Sequence, residues 1–319
     1  MLSIACTVVI PESDLFTRNR LSVEAPLTKL ISHGLSFDDA LEKAEQILNQ
    51  ENQSFGVIGE PIHTRLINPY EMPDFAVGYS GIVDELNSAP DLIILPLGGG
   101  ILLSGVVQGI WSHGWTNTHI LAVEPEGRDG LGPKIVRGRH LPTTATRSSV
   151  LSSLFVSPVS EKVVSICNNQ RLSVALCSDT EAVNCIKSFL DDHGILLDPI
   201  SASALSPIYN GTVAKLQCDG HIPRYAKICV IITGGRNISL QHLNDLEKRV
   251  KSNQVVDGCS RGFIYSQSQP MFNAESVLAS LDSEMENAME SEAPASSGES
   301  NTENRPPPNI TPESIKECR

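Results

Sequence analysis

The stretch Asp91–Ile110, DLIILPLGGGILLSGVVQGI, decides how the rest of the chain is read. Leu92–Leu97 is a short, wholly apolar run, the pattern of a strand buried on both faces of a parallel sheet. It stops at three consecutive glycines, Gly98, Gly99 and Gly100, and a second apolar run follows, read as a helix from about Leu102. A strand that ends in glycines and leads into a helix lets the backbone approach a ligand closely. The N–H groups at the helix start then point at it, aided by the helix dipole. Two readings remain open at this point: a phosphate cradle, or a tight turn that packs a helix on the sheet. The spacing is not the GxGxxG dinucleotide pattern, and no GK[ST] follows, so the P-loop reading fails.

The flanking sequence alternates in the same way. Ala5–Ile10, Ile120–Val123 and Ile228–Ile232 are further short aliphatic or β-branched runs that read as buried strands. SFDDALEKAEQILNQ places Phe37, Ala40, Leu41, Ala44, Ile47 and Leu48 on one helical face, with Ser36 positioned as N-cap. SDTEAVNCIKSFLDDHG carries a capping box of Ser178 and Glu181 and a terminating Gly194. Strands alternating with helices predict an α/β fold with a mostly parallel sheet.

Composition narrows the class. The 319 residues suffice for one large or two ordinary domains. A formal net charge of −13 argues against a nucleic-acid binder, because phosphate backbones would be repelled over most of the surface. No apolar segment reaches membrane-spanning length. The N-terminal MLSIACTVVIPE lacks a basic start and a small-residue cleavage site, so a cytoplasmic protein is expected. The cysteines form no CxxC pair and read as reduced thiols, mostly core filler, with no zinc-ligand spacing. His113 and His119 flank a loop and read as surface or core-edge residues rather than general bases. After about Lys251 the composition shifts. The segment DSEMENAMESEAPASSGESNTENRPPPNITPE has too few apolar residues to offset its ordering entropy and is expected to be disordered, with a short helix near Ala274–Leu281.

Several segments together resemble the serine/threonine dehydratase family of fold-type II pyridoxal-phosphate enzymes. LPLGGGILLSGVVQGIWSHGW resembles the family's phosphate-binding glycine loop, and NPYEMPDFAVGYSGIVDEL the segment before its strand. ILAVEPEG is similar to the family's strand ending in glutamate, DDHGILLDPISASALSPIY to its I-L-V-E-P-A-C-G-A-A-L-A stretch, and VIITGGRNISL to its late C-G-G-S-N-I-S-L loop. The landmarks keep their order, and the resemblance runs from about Ile4 to Val250. It implies a tryptophan synthase β-like α/β architecture: mostly parallel sheets flanked by helices, in two domains, the first incomplete. The expected division is 1–66 as a remnant of the smaller α/β domain, 67–250 as the large cofactor-binding domain, and 251–319 as a disordered acidic tail. No second regulatory domain follows Val250, which argues against the regulated biosynthetic threonine deaminase type.

By this resemblance, backbone amides of Gly98, Gly99, Gly100, Ile101 and Leu102 would hold the phosphate of pyridoxal 5′-phosphate. Thr233 would sit where the family places a cysteine or serine against the pyridine nitrogen, and its hydroxyl can hydrogen-bond an unprotonated ring. Gly234 and Gly235 would form the turn beside the ring. Glu124 would correspond to a ligand of a monovalent or divalent structural cation, with carbonyls around Gly98 and Arg128 assisting; the other reading of Glu124 is a surface carboxylate at a strand end. The sequence departs from the family at Ile101, where a fourth glycine is usual, at Ile200 and Ser201, where smaller residues are usual, and at Arg236–Asn237.

The family's Schiff-base lysine and its S-S-G-N loop precede the strand resembled by ACTVVIP. No lysine here lies in a matching motif, including Lys29, Lys43 and Lys134, so no catalytic residue is assigned and the chain is expected to be N-terminally truncated. The implied activity is that of an L-serine, and by extension L-threonine, ammonia-lyase giving pyruvate or 2-oxobutyrate. This chain alone is expected to be inactive. The alternatives are a catalytically dead relative that at most binds the cofactor or pairs with a full-length homologue, and another fold-type II activity such as a racemase. The implied partners are a small amino-acid substrate and a second copy in a homodimer.

Overall fold

The computed structural model describes residues 5–12, 18, 21, 25, 28–52, 64–68, 73–127, 130–132, 149–154, 159, 161–168, 170–235, 238–253 and 264–266. The chain divides into the units Met1–Leu278 and Ala279–Arg319, and every described residue belongs to the first. β1 (Thr7–Ile10) and β2 (Lys29–Ser32) form a two-stranded parallel sheet with Thr7 opposite Lys29. Helix α1 (Phe37–Asn52) follows. Its first turn is closed as its sequence predicts: Asp39 N–H donates to Ser36 Oγ at 3.1 Å. Asp39 Oδ2 in turn accepts from the N–H groups of Leu35 and Ser36 at 2.8 and 3.0 Å.

The main sheet has the order β6-β3-β4-β5-β7. Its parallel strands are β3 (Leu92–Pro96), β4 (His119–Pro125), β5 (Leu172–Cys177) and β6 (Ile228–Val230). Strand β7 (Ile264–Ser266) pairs antiparallel with β5. The sheet therefore extends into the 251–319 range expected as tail. Ala274–Leu281 and the acidic segment beyond lie outside the described residues. Of these strands, β1, β3, β4 and β6 coincide with the buried runs expected from the sequence, and β2, β5 and β7 do not.

Helix α2 (Pro73–Asp84) precedes β3, α3 (Ile101–Ser112) joins β3 to β4, and α4 (Glu161–Asn168) precedes β5. The return from β5 to β6 runs through α5 (Asp179–His193), α6 (Pro199–Ser203), α7 (Ser206–Tyr209) and α8 (Thr212–Cys218). Helix α9 (Leu240–Asn253) then packs on α5, with Leu243, Leu246 and Val250 clustered against Val183 and Ile186. The crossovers β3–β4 and β5–β6 move in opposite directions across the sheet. Right-handed connections therefore place α3 and α5–α8 on opposite faces. The side chains agree: Leu92 and Ile94 join Ala182, Ala204, Val213 and Leu216 in one buried cluster. Ile93 and Leu95 alternate to the other face and are equally buried. That explains why β3 reads as an unbroken apolar run. Among the described residues no helix is long and apolar enough to cross a membrane.

Candidate active site

The order of the sheet marks where a ligand would bind. From β3 the chain moves to β4 and β5, then returns to the opposite side of β3 as β6. The strand order reverses between β3 and β6, and ligands of open α/β sheets bind at such a reversal, outside the carboxyl ends of the strands. The glycine loop leaves β3 at that end and Thr233 follows β6. Register brings them side by side. Ile94 pairs with Val230, and Ile231 N–H donates to Ile94 O at 2.8 Å. Thr233 and Leu97 each lie three residues beyond that pair, and neighbouring strands are roughly 5 Å apart. On the other side Leu97 N–H donates to Val123 O at 2.8 Å, so Glu124 flanks the same loop.

Within the loop, Gly98 and Gly99 are half-buried and Gly100 is buried. Gly100 is the N-cap of α3 at φ 96° and ψ −1°, a left-handed conformation that disfavours a side chain. A Cβ there would also meet Val163 Cγ1 of α4 at 2.8 Å. The first intrahelical bond is Ser104 N–H to Gly100 O at 2.9 Å. The N–H groups of Gly99, Ile101 and Leu102 have no acceptor among the described residues. An apolar turn would bury or pair these donors, whereas an anion at the helix start satisfies them. The phosphate end of the cofactor suits this donor set. Ile101 is the first residue of α3 and has helical geometry, so the loop accommodates a β-branched residue where the family usually has glycine.

At β6 a compact hydroxyl network holds Thr233. Asp198 caps α6, its Oδ1 accepting from Ser201 N–H at 2.8 Å. Ser201 Oγ accepts from Gly234 N–H at 2.8 Å and lies 3.2 Å from Thr233 Oγ1. Close approach requires glycine at Gly235, where an added Cβ would meet the backbone oxygen Leu196 O at 2.7 Å; one at Gly234 would meet Asp198 Oδ2 at 2.5 Å, an oxygen that the side chain can shift. Ser201 is fully buried and Thr233 is exposed. In the sequence Ser201 stands out only as a departure from the family, and Asp198 carries no expected role. The Asp198–Pro199 pair, a capping residue before proline, was the available signal.

Glu124 corrects one of its two expected readings. It is 1% exposed, not a surface carboxylate. Its Oε1 accepts from the N–H groups of Leu131 and Gly132 at 2.6 and 3.1 Å, closing the loop after β4. Both of these donors engage the same oxygen, Oε1. Arg128 and Arg236–Asn237 lie outside the described residues. Among the described residues no group of three or more His, Cys, Asp or Glu could hold a metal.

His119 is a second correction. It begins β4, is 3% exposed, and its Nε2 lies 2.9 Å from Ser173 Oγ. Burial, with Arg171 and His221 nearby, pushes its pKa down to about 4. It lies at the amino end of β4, the opposite end of the strands from the glycine loop. His113 lies at the surface beside Asp84, with a 3.5 Å separation. Lys29 starts β2 and Lys43 lies on α1, while Lys134 is outside the described residues. Cys177 and Cys185 are buried, and burial raises both thiols, Cys185 to about 12. Cys6 and Cys218 are exposed rather than core filler.

Known proteins resemble this chain in sequence and in fold. The rat protein "L-serine dehydratase/L-threonine deaminase" (Rattus norvegicus) is 31% identical over 261 residues, covering 80% of this chain and 68% of its own length. The human protein of the same name is 31% identical over 255 residues, covering 78% of this chain and 74% of its own length. A fungal L-serine ammonia-lyase from Rhizomucor miehei superposes with a TM-score of 0.63 at 24% identity, covering 77% of this chain and 75% of that one. It supports the fold. The family model for "Pyridoxal-phosphate dependent enzyme" matches residues 1–234, from β1 through the Thr233 turn. With the glycine loop and Thr233 both inside that match, the chain belongs to the pyridoxal-phosphate-dependent enzyme family.

Proposed function

We propose that the chain carries the cofactor site of an L-serine ammonia-lyase that also takes L-threonine. The observation that carries this reading is the 31% identity to L-serine dehydratase/L-threonine deaminases across 80% of the chain. The N–H groups of Gly98–Leu102 anchor the phosphate and fix the position of the ring. Thr233 meets the ring nitrogen at the end of β6. The fully buried β3 and β4 make the base of the site rigid, so these donors are preorganised rather than recruited on binding. Pyridoxal phosphate, when bound, supplies an electron sink that stabilises charge at the substrate α-carbon. L-Serine then loses its β-hydroxyl as water and, after hydrolysis, gives pyruvate and ammonia; L-threonine gives 2-oxobutyrate and ammonia.

Removing the α-proton needs a base, and none of the chain's lysines lies in the family's lysine motif. The purified chain with pyridoxal phosphate is therefore expected to release no pyruvate from L-serine above the rate of free cofactor. Adding ethylamine as an external base is expected to bring pyruvate above that rate. Pyruvate without ethylamine would uphold the lyase reading and overturn the expectation about the lysines. Cofactor binding with no pyruvate under either condition would overturn the lyase reading in favour of a binding-only relative.

A further inference from the structure

We propose that Ser201 is a positioning residue for the cofactor ring: its hydroxyl sets the direction in which Thr233 donates. The inference rests on the reading of this edge of the sheet as a pyridoxal-phosphate site. A hydroxyl has one proton to give and two lone pairs to offer. Gly234 N–H can only donate, and it occupies one lone pair of Ser201 Oγ at 2.8 Å. Ser201 is fully buried, and the one acceptor its proton finds among the described residues is Thr233 Oγ1 at 3.2 Å. Thr233 therefore accepts from Ser201, and its own proton turns outward. Because Thr233 is exposed at the open end of β6, that proton is presented to whatever binds at the strand reversal.

The direction has a chemical consequence. A hydroxyl that donates to an aromatic nitrogen favours the unprotonated ring; one that offers a lone pair favours the protonated ring. Were Thr233 to donate to Ser201, it would present the lone pair. The buried Ser201 proton, with Thr233 Oγ1 as its one acceptor among the described residues, selects the first arrangement. Asp198 holds Ser201 in place through its cap on α6. The selection thus depends on α6 and the loop after β6 together, two elements whose contacting residues are 32 apart in sequence.

Pyridoxine 5′-phosphate provides the test, because it lacks the aldehyde and cannot react with any lysine. The protonation of its ring nitrogen when bound is read from ultraviolet absorbance against pH. In the unmodified chain the nitrogen is expected to titrate below the free ligand. Thr233→Val and Ser201→Ala are each expected to raise that midpoint by about one pH unit, the worth of one hydrogen bond. A positioning residue acts only through its partner, so Ser201→Ala is expected to add nothing in a Thr233→Val background. Ser201→Cys keeps a donor proton and is expected to retain part of the depression. A midpoint that moves with Thr233→Val but not with Ser201→Ala overturns the inference, and so does a Ser201→Ala effect that persists without the Thr233 hydroxyl. Failure of the unmodified chain to bind pyridoxine 5′-phosphate is a different result: it overturns the cofactor-site reading itself, and the inference with it.

Discussion

Gly100 stands at φ 96° with Val163 against its α-carbon, so a side chain there meets two separate penalties. Left-handed backbone at a non-glycine residue costs about 1–3 kcal/mol. The overlap with Val163 adds to it unless α4 gives way. Gly100→Ala is accordingly expected to lower the unfolding free energy by about 1–3 kcal/mol in urea and to weaken binding of pyridoxine 5′-phosphate. Ile101→Gly, one residue on, relieves no such constraint and is expected to leave binding close to unchanged. His119 makes a pH-dependent contribution. Its folded pKa of about 4 lies below the unfolded value near 6.5, so the unfolded chain binds the extra proton between those values. The stability tied to the neutral imidazole is present above pH 6.5 and is lost as pH falls toward 4. The loss is about 3 kcal/mol at most. Denaturant unfolding at pH 7 and pH 4 checks this: His119→Gln is expected to show a smaller drop than the unmodified chain by roughly that amount.

At the scale of elements, the seam between α2 and α3 accounts for the remaining glycines of the opening stretch. Gly105 and Gly109 lie four residues apart, on one face of α3. A Cβ at Gly105 would overlap the carbonyl oxygen of Ala76. One at Gly109 would meet Val83 Cβ at 2.7 Å and Ser80 O at 2.8 Å. These neighbours are backbone or branched carbon and cannot swing aside, so added bulk must push α2 away from α3. In Gly109→Ala the helix-propensity gain of about 1 kcal/mol opposes an overpacking cost of about 1–3 kcal/mol, and a net loss of stability is expected. Gly78 of α2 is exposed and has no heavy atom within 4 Å of an added Cβ. Gly78→Ala is expected to have the opposite sign, stabilising by up to about 1 kcal/mol. Thermal or urea unfolding of the two variants measures both.

Across the whole molecule, the site depends on a return of the chain that no local pattern records. What was readable in the sequence was local. The Ser178–Glu181 capping box and Gly194 were both placed correctly, because their hydrogen bonds join residues a few positions apart. β3 was legible because burial on both faces leaves a continuous apolar run. β7 was not, since three residues form a strand only by pairing with β5, about ninety positions earlier. β5 was missed although its sequence, LSVALC, is mostly apolar, and His119 was misread because a polar residue at a strand start gives no sign of its burial. The cradle at Gly98–Leu102 and the position of Thr233 came from resemblance. The strand reversal between β3 and β6 supplies a physical reason for them to meet. The central claim is that this edge binds pyridoxal phosphate through its phosphate, on the open N–H groups at the start of α3. Dissociation constants for pyridoxine 5′-phosphate and for pyridoxine, compared on the same chain, test it most directly. The phosphate ester is expected to bind more tightly by roughly 10- to 100-fold, the worth of one or two charge-assisted hydrogen bonds. Equal affinities, or no binding of the ester, would contradict it.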